Sequence, residues 1–142
     1  VSKSNTFENS FLKLIFWGTA IPNIADNAAS SPLEFLYAAL HTADPGEAGT
    51  QTTSEATYTS YARVPVARDN TGWSITNNVV NPMATIVFPQ CTGGTSNVTH
   101  FSIGTAESGA GSILWYGEAS PALAVASGIQ PQISVNTTIT ED

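Results

Sequence analysis

Apolar residues near the start of the chain fall at helical spacing: Phe11 lies four positions after Phe7, and Leu14 and Ile15 lie three and four positions after Phe11. Asn5, with Glu8 three residues on, forms a variant of the capping box that opens a helix, and Gly18 is placed to end it. Phe11, Leu12, Leu14, Ile15, Phe16 and Trp17 make the end of this helix apolar nearly all round. A short terminal helix on a small domain cannot easily hide such a surface. It is expected either to plug one end of a β-sandwich or to dock on another subunit. Residues 19–32, with Ala, Asn, Ser and two prolines, read as a linker.

The pattern then changes to strand-like runs separated by turn signals. Residues 33–41 are apolar on both faces, as in a central strand, and 58–67 resume the strand pattern, with Pro65 placing that run at an edge or bulge. Between them, Asp44-Pro45-Gly46 supplies a side-chain acceptor, a fixed φ and a residue free to take positive φ, so a turn is expected there. The rest of 42–56 is polar and reads as a mobile loop. Further strands are expected at 73–76, 84–88, 98–103, 113–117 and 133–139, the last alternating as Ile133, Val135, Thr137, Ile139. No solenoid or propeller period is present. The predicted fold class is mostly β, a β-sandwich or jelly roll with a short N-terminal helix, divided into a helix and linker arm (1–32) and a β-sandwich domain (33–142).

Composition narrows the partners. A chain of 142 residues is expected to build one core without a disulfide or metal, and Cys91 has no second cysteine to pair with. Four basic residues face eleven acidic ones, and Arg68 is the last basic residue, so nucleic acid is excluded as an expected partner. No apolar run approaches the roughly 20 residues of a membrane span, and no signal-peptide pattern is visible. The expectation is a soluble protein with no membrane partner. Charged residues make up only 11% of the chain, against about 25% in ordinary soluble proteins, with Ser, Thr and Asn in their place. Such a surface costs little to desolvate, which suits lasting contact with a neighbour.

Catalytic constellations are weak. Cys91 with His41 or His100 could pair as nucleophile and base, but the flank Pro89-Gln90-Cys91-Thr92-Gly93-Gly94 is a turn sequence without an activating motif. His41, His100, Asp44 and Glu47 match no metal-ligand spacing. Glu55, Asp69, Glu107 and Glu118 are available as glycosidase carboxylates, though such acids on a small β-domain usually serve as solvated loop residues. The glycine-rich 104–111 lacks the Lys and helix of a phosphate loop and reads as a hairpin loop. Trp73, Trp115, Tyr116, Tyr58 and Tyr61 could stack on sugars, against the commoner role of strand aromatics in cores. No enzyme activity, cofactor or metal is expected.

Several segments, taken in order, resemble a family of small structural proteins of tailed bacteriophage particles. They are Lys3-Ser4-Asn5-Thr6-Phe7-Glu8-Asn9, Leu40-His41-Thr42-Ala43-Asp44-Pro45-Gly46-Glu47-Ala48-Gly49-Thr50 and Tyr61-Ala62-Arg63-Val64-Pro65-Val66. Val87-Phe88-Pro89, Val98-Thr99-His100-Phe101-Ser102-Ile103-Gly104 and Gly111-Ser112-Ile113-Leu114-Trp115-Tyr116-Gly117 follow. The resemblance implies a virion component: a capsid cement (decoration) protein on the outside of the major capsid protein shell, or alternatively a tail or fibre-associated protein recognising a host surface carbohydrate. It implies a homo-oligomer, dimer or trimer, made in the bacterial host cytoplasm and carried on the capsid surface, with no catalytic residues. On the cement reading the expected contacts are Phe7, Phe11 and Trp17 of the helix, with Tyr58, Tyr61 and Arg63 beside the polar loop.

Overall fold

A computed structural model describes residues 5–21 and 32–141. The fold is mostly β, with one short N-terminal helix and several antiparallel sheets, as the sequence pattern predicts. The chain divides into two compact units. The first comprises Val1–Phe35, Ala67–Thr85 and Ser134–Asp142; the second comprises Leu36–Val66 and Ile86–Ile133.

In the first unit, α1 (Asn5–Trp17) lies against β3 (Trp73–Thr76), which pairs with β4 (Val79–Pro82), which in turn pairs with β9 (Ile139–Thr140). Leu12 and Phe16, one helical turn apart, are fully buried, and the Phe16 ring meets Trp73 edge-on at 4.8 Å. Trp17 Nε1–H donates to the Trp73 carbonyl at 3.1 Å. The helix ends where Gly18 takes a φ of 65°, a conformation that a Cβ would penalise. The helix has no basic residue in its last turn. Arg68 supplies the missing charge from elsewhere in the chain, donating Nε–H to the Ile15 carbonyl and Nη2–H to the Leu14 carbonyl. Carbonyls that α1 leaves unpaired are thereby satisfied by a cation, the sign that the helix dipole favours. The Asn5 side chain of the expected cap and residues 22–31 of the linker fall outside the described side chains and residues, while Glu8 is buried.

In the second unit a four-stranded sheet runs in the order β2-β1-β6-β7, where β1 is Phe35–His41, β2 Val64–Ala67, β6 Ser96–Gly104 and β7 Ile113–Val125; the terminal residues Phe35 and Ala67 fall in the first unit. The central strand β1 buries Leu36, Ala38, Ala39, Leu40 and His41, consistent with its run of apolar residues. A short ladder of β5 (Ile86–Val87) with β8 (Gln132–Ile133) accompanies the sheet. Ile86, Phe88, Val98, Ile103, Val125 and Ile133 are buried with them.

Several expected boundaries move. Residues 58–63 are not strand: Ser60 takes a φ of 80°, and β2 begins only at Val64. The alternation from 133 to 139 is split by turns into β8 and β9. β7 runs well past the expected end at 117, through Pro121. A proline is tolerated there because β7 is an edge strand whose outer N–H groups need no ladder partner, and the register against β6 shifts around it, from His100↔Glu118 to Val98↔Leu123. The polar stretch expected as a mobile loop is anchored. Ala56 N–H donates to the Leu40 carbonyl at 2.8 Å, and Gln51 is fully buried.

Candidate functional site

The second unit carries a cleft of about 630 Å³ lined by residues 52, 55–57, 61–63 and 107–109. Arg63, at the start of the segment leading into β2, forms its base. The residue is buried, and its guanidinium grips Glu55 with two prongs, Nε to Oε1 at 2.7 Å and Nη2 to Oε2 at 2.9 Å. Its remaining bonds go to the carbonyls of Ala106 (2.9 Å) and Gly109 (2.7 Å), in the glycine-rich loop between β6 and β7. Four of its roughly five N–H donors are thus committed. One arginine ties both walls of the cleft together, and its charge is matched inside the protein.

Tyr61 reinforces this base. Its hydroxyl donates to Glu55 Oε1 at 2.9 Å and accepts the Leu40 N–H at 3.1 Å, so Glu55 is held from two sides. Burial pushes the Tyr61 phenol far above its ordinary value, keeping it a donor. The ring stacks parallel to Phe88 at 6.4 Å and meets Tyr58 edge-on at 5.4 Å. Tyr58 is buried and gives its O–H to the Pro89 carbonyl at 2.9 Å, with burial raising its pKa to about 12. Both rings serve the interior. The open groups of the cleft are Thr52, Thr57, Glu107 and Ser108, all exposed.

Beneath the same loop lies a buried histidine. His41 Nδ1 meets the Thr53 carbonyl at 2.8 Å, so Nδ1 carries the proton; Nε2 therefore accepts, and the Ser102 hydroxyl donates to it at 2.7 Å. The spacing is that of a serine–histidine pair in a hydrolase, but both residues are fully buried, so no substrate reaches them. They brace β1, β6 and the 42–56 segment together. Cys91 is also buried, its thiol directed at the Gly93 carbonyl. No grouping of three or more potential metal ligands occurs among the described residues.

Of the contacts expected from sequence, Tyr61 and Arg63 line the cleft, and Tyr58 packs against Tyr61. Phe11 and Trp17 belong to the first unit, Phe11 half-buried on α1 and Trp17 bonded to Trp73, with Lys13 Nζ 5.3 Å from the Trp17 ring. The Phe7 side chain lies outside the described residues. Thr52, Thr57 and Ser108 carry no motif, and only the fold gathers them. Glu55 and Glu107 stood out in the sequence only as possible glycosidase acids; Glu55 is tied to Arg63 and Tyr61.

The described residues thus form a mostly β fold, in a chain of low charge, with a cleft lined by hydroxyls and carboxylates. The family described as "Podophage GP4 fiber I protein gp80" matches residues 2–140. The chain belongs to that family and is a bacteriophage virion structural protein. No curated protein matches it. The family's description is of a fibre protein, which fits the alternative expectation of a fibre-associated protein better than that of a capsid cement: a low-charge surface and an apolar helix suit any lasting protein contact and do not single out the capsid shell.

Proposed function

We propose that this chain is a fibre component of the phage particle that recognises a carbohydrate of the host surface. The observation that carries the reading is the fibre family spanning nearly the whole chain. The cleft supports it, offering hydroxyls and carboxylates on a base fixed by Arg63, Glu55 and Tyr61. Such a site arrives at its ligand with little ordering left to do, which lowers the cost of binding. The chain acts by binding, without cofactor or catalysis, and neither nucleic acid nor membrane is a proposed partner. Self-association into a homo-oligomer belongs to the same reading, since linked copies turn weak single contacts into avid attachment.

Two measurements test it. Quantitative mass spectrometry of purified particles is expected to find this chain at a small fraction of the major capsid protein. The isolated chain is expected to bind host cells saturably, with release by the cells' own surface polysaccharide. One copy per capsid subunit, with no cell binding, would return the protein to the shell.

A further inference from the structure

The two arginines of this chain are both consumed internally. Arg68 serves the carbonyls of Leu14, Ile15 and Leu33, while Arg63 serves Glu55 and two loop carbonyls. The cleft over Arg63 therefore offers an incoming ligand little positive charge. The Arg63–Glu55 pair is neutral as a unit, and Glu107 on the opposite wall is exposed and unmatched by any cation lining the cleft. An anionic ligand would be desolvated beside a carboxylate with no cation to receive it.

What the cleft does offer is hydrogen bonding with acceptors in excess. The hydroxyls of Thr52, Thr57 and Ser108 donate and accept, and the Glu107 carboxylate accepts only. Stacking is not part of the offer, because the Tyr61 ring is already engaged by Tyr58 and Phe88. Recognition then rests on donors that the ligand brings. A sugar ring presents several hydroxyl donors at short spacing, and an amino group adds a charge-assisted one.

We infer that the cleft bounded by Glu55, Thr57, Arg63, Glu107 and Ser108 binds an uncharged or amine-bearing sugar unit and rejects uronic acids and other anionic sugars. The inference rests on the carbohydrate-recognition reading above and narrows it to one site and one charge class. The binding is weak per copy, since few polar contacts and no aromatic platform supply it.

The test uses the full chain and a panel of methyl hexosides, their 2-amino counterparts and the matching hexuronic acids, read by ligand-observed NMR. Binding of a neutral or amino sugar is expected, with no uronic acid bound. Glu107→Gln and Ser108→Ala, both at exposed positions where folding is little affected, are each expected to weaken it about tenfold. A uronic acid bound as well as the neutral sugars would overturn the inference, and so would sugar binding that both variants leave unchanged. Binding of the same variants to host cells separates the two levels. Undiminished cell binding sinks the cleft assignment while leaving carbohydrate recognition standing, whereas a wild-type chain that binds neither cells nor any sugar sinks both.

Discussion

Arg63 holds Glu55 by two parallel hydrogen bonds, at 2.7 and 2.9 Å, with the arginine side chain almost wholly buried. The geometry matters more than the charge, because only a guanidinium presents two N–H groups at the spacing of a carboxylate. The pair joins segments eight residues apart, and through Ala106 and Gly109 it also fixes a loop more than forty residues away. Arg63→Ala leaves Glu55 with only the Tyr61 hydroxyl as donor, strips those carbonyls of the guanidinium and is expected to destabilise the protein by about 2–4 kcal/mol, measured by urea denaturation. Arg63→Lys should recover only part of the loss, since an ammonium cannot replace the fork. Full recovery with lysine would show that charge alone suffices.

The His41–Ser102 brace makes stability depend on pH. Burial lowers the His41 pKa below its ordinary 6.5, with Arg63 and His100 acting in the same direction and the Thr53 carbonyl and Glu55 opposing. The folded state therefore favours the neutral ring, while the unfolded chain takes up a proton as the pH falls through about 6.5. Stability is expected to be level above that pH, to decline below it, and to level again once the folded ring also titrates. Urea midpoints measured from pH 8 to 5 check this, with NMR titration of the His41 ring as an independent reading. Asp69, whose carboxyl is held below its ordinary 3.8 by the Thr71 hydroxyl and backbone, loses its contribution only at much lower pH, so the two effects separate.

The end of α1 supplies a third test. Leu14 and Ile15 give their carbonyls to Arg68, and the Thr19 N–H closes on the Lys13 carbonyl at 3.1 Å. Arg68→Ala removes the cation from the negative end of the helix and is expected to cost about 2 kcal/mol. Hydrogen exchange should show amides 15–19 losing protection while those of β6 keep theirs. Equal loss in both would mean that Arg68 supports more than the helix end.

How far the sequence revealed these features depended on how local their causes are. The helix, its stop at Gly18 and the strand 73–76 follow from spacing and one permissive residue, and all three occur as read. The pattern along the chain does not announce β4, because its cause is the turn at Asn77, with a φ of 56°, which pairs Thr76 with Val79; Asn81 and Pro82 by themselves do not suggest a strand. The full length of β7 is not legible along the chain, because Pro121 is acceptable only on an edge, and edge position is a property of the assembled sheet. The cleft was half legible: Tyr61 and Arg63 are conspicuous beside a polar loop, but nothing local brings Glu107 and Ser108 to them. Arg68 as a helix cap acts across more than fifty residues, and no pattern along the chain announces it.

Gln51 and Gly104 offer the sharpest check on the second unit. Gln51 is fully buried; its Nε2 donates to the Tyr37 carbonyl at 3.1 Å and its Oε1 accepts the Ala106 N–H at 3.0 Å, so one side chain joins β1 to the loop that walls the cleft. A Cβ placed on Gly104 would strike the Gln51 amide, and one on Gly111 would strike both that amide and Ala106. Neither glycine needs a positive φ, so the requirement is for space. Gly104→Ala is expected to cost about 1–3 kcal/mol by overpacking. Gln51→Ala leaves the Ala106 N–H and the Tyr37 carbonyl unpaired, for a further loss of about 1–3 kcal/mol. Combined, the two should cost less than their sum, because the shortened side chain vacates the volume that the new methyl needs, with a coupling of about 1 kcal/mol or more. Strict additivity in a urea double-mutant cycle would show that the strain is relieved by backbone movement instead, and the loop's hold on the cleft would then not pass through Gln51.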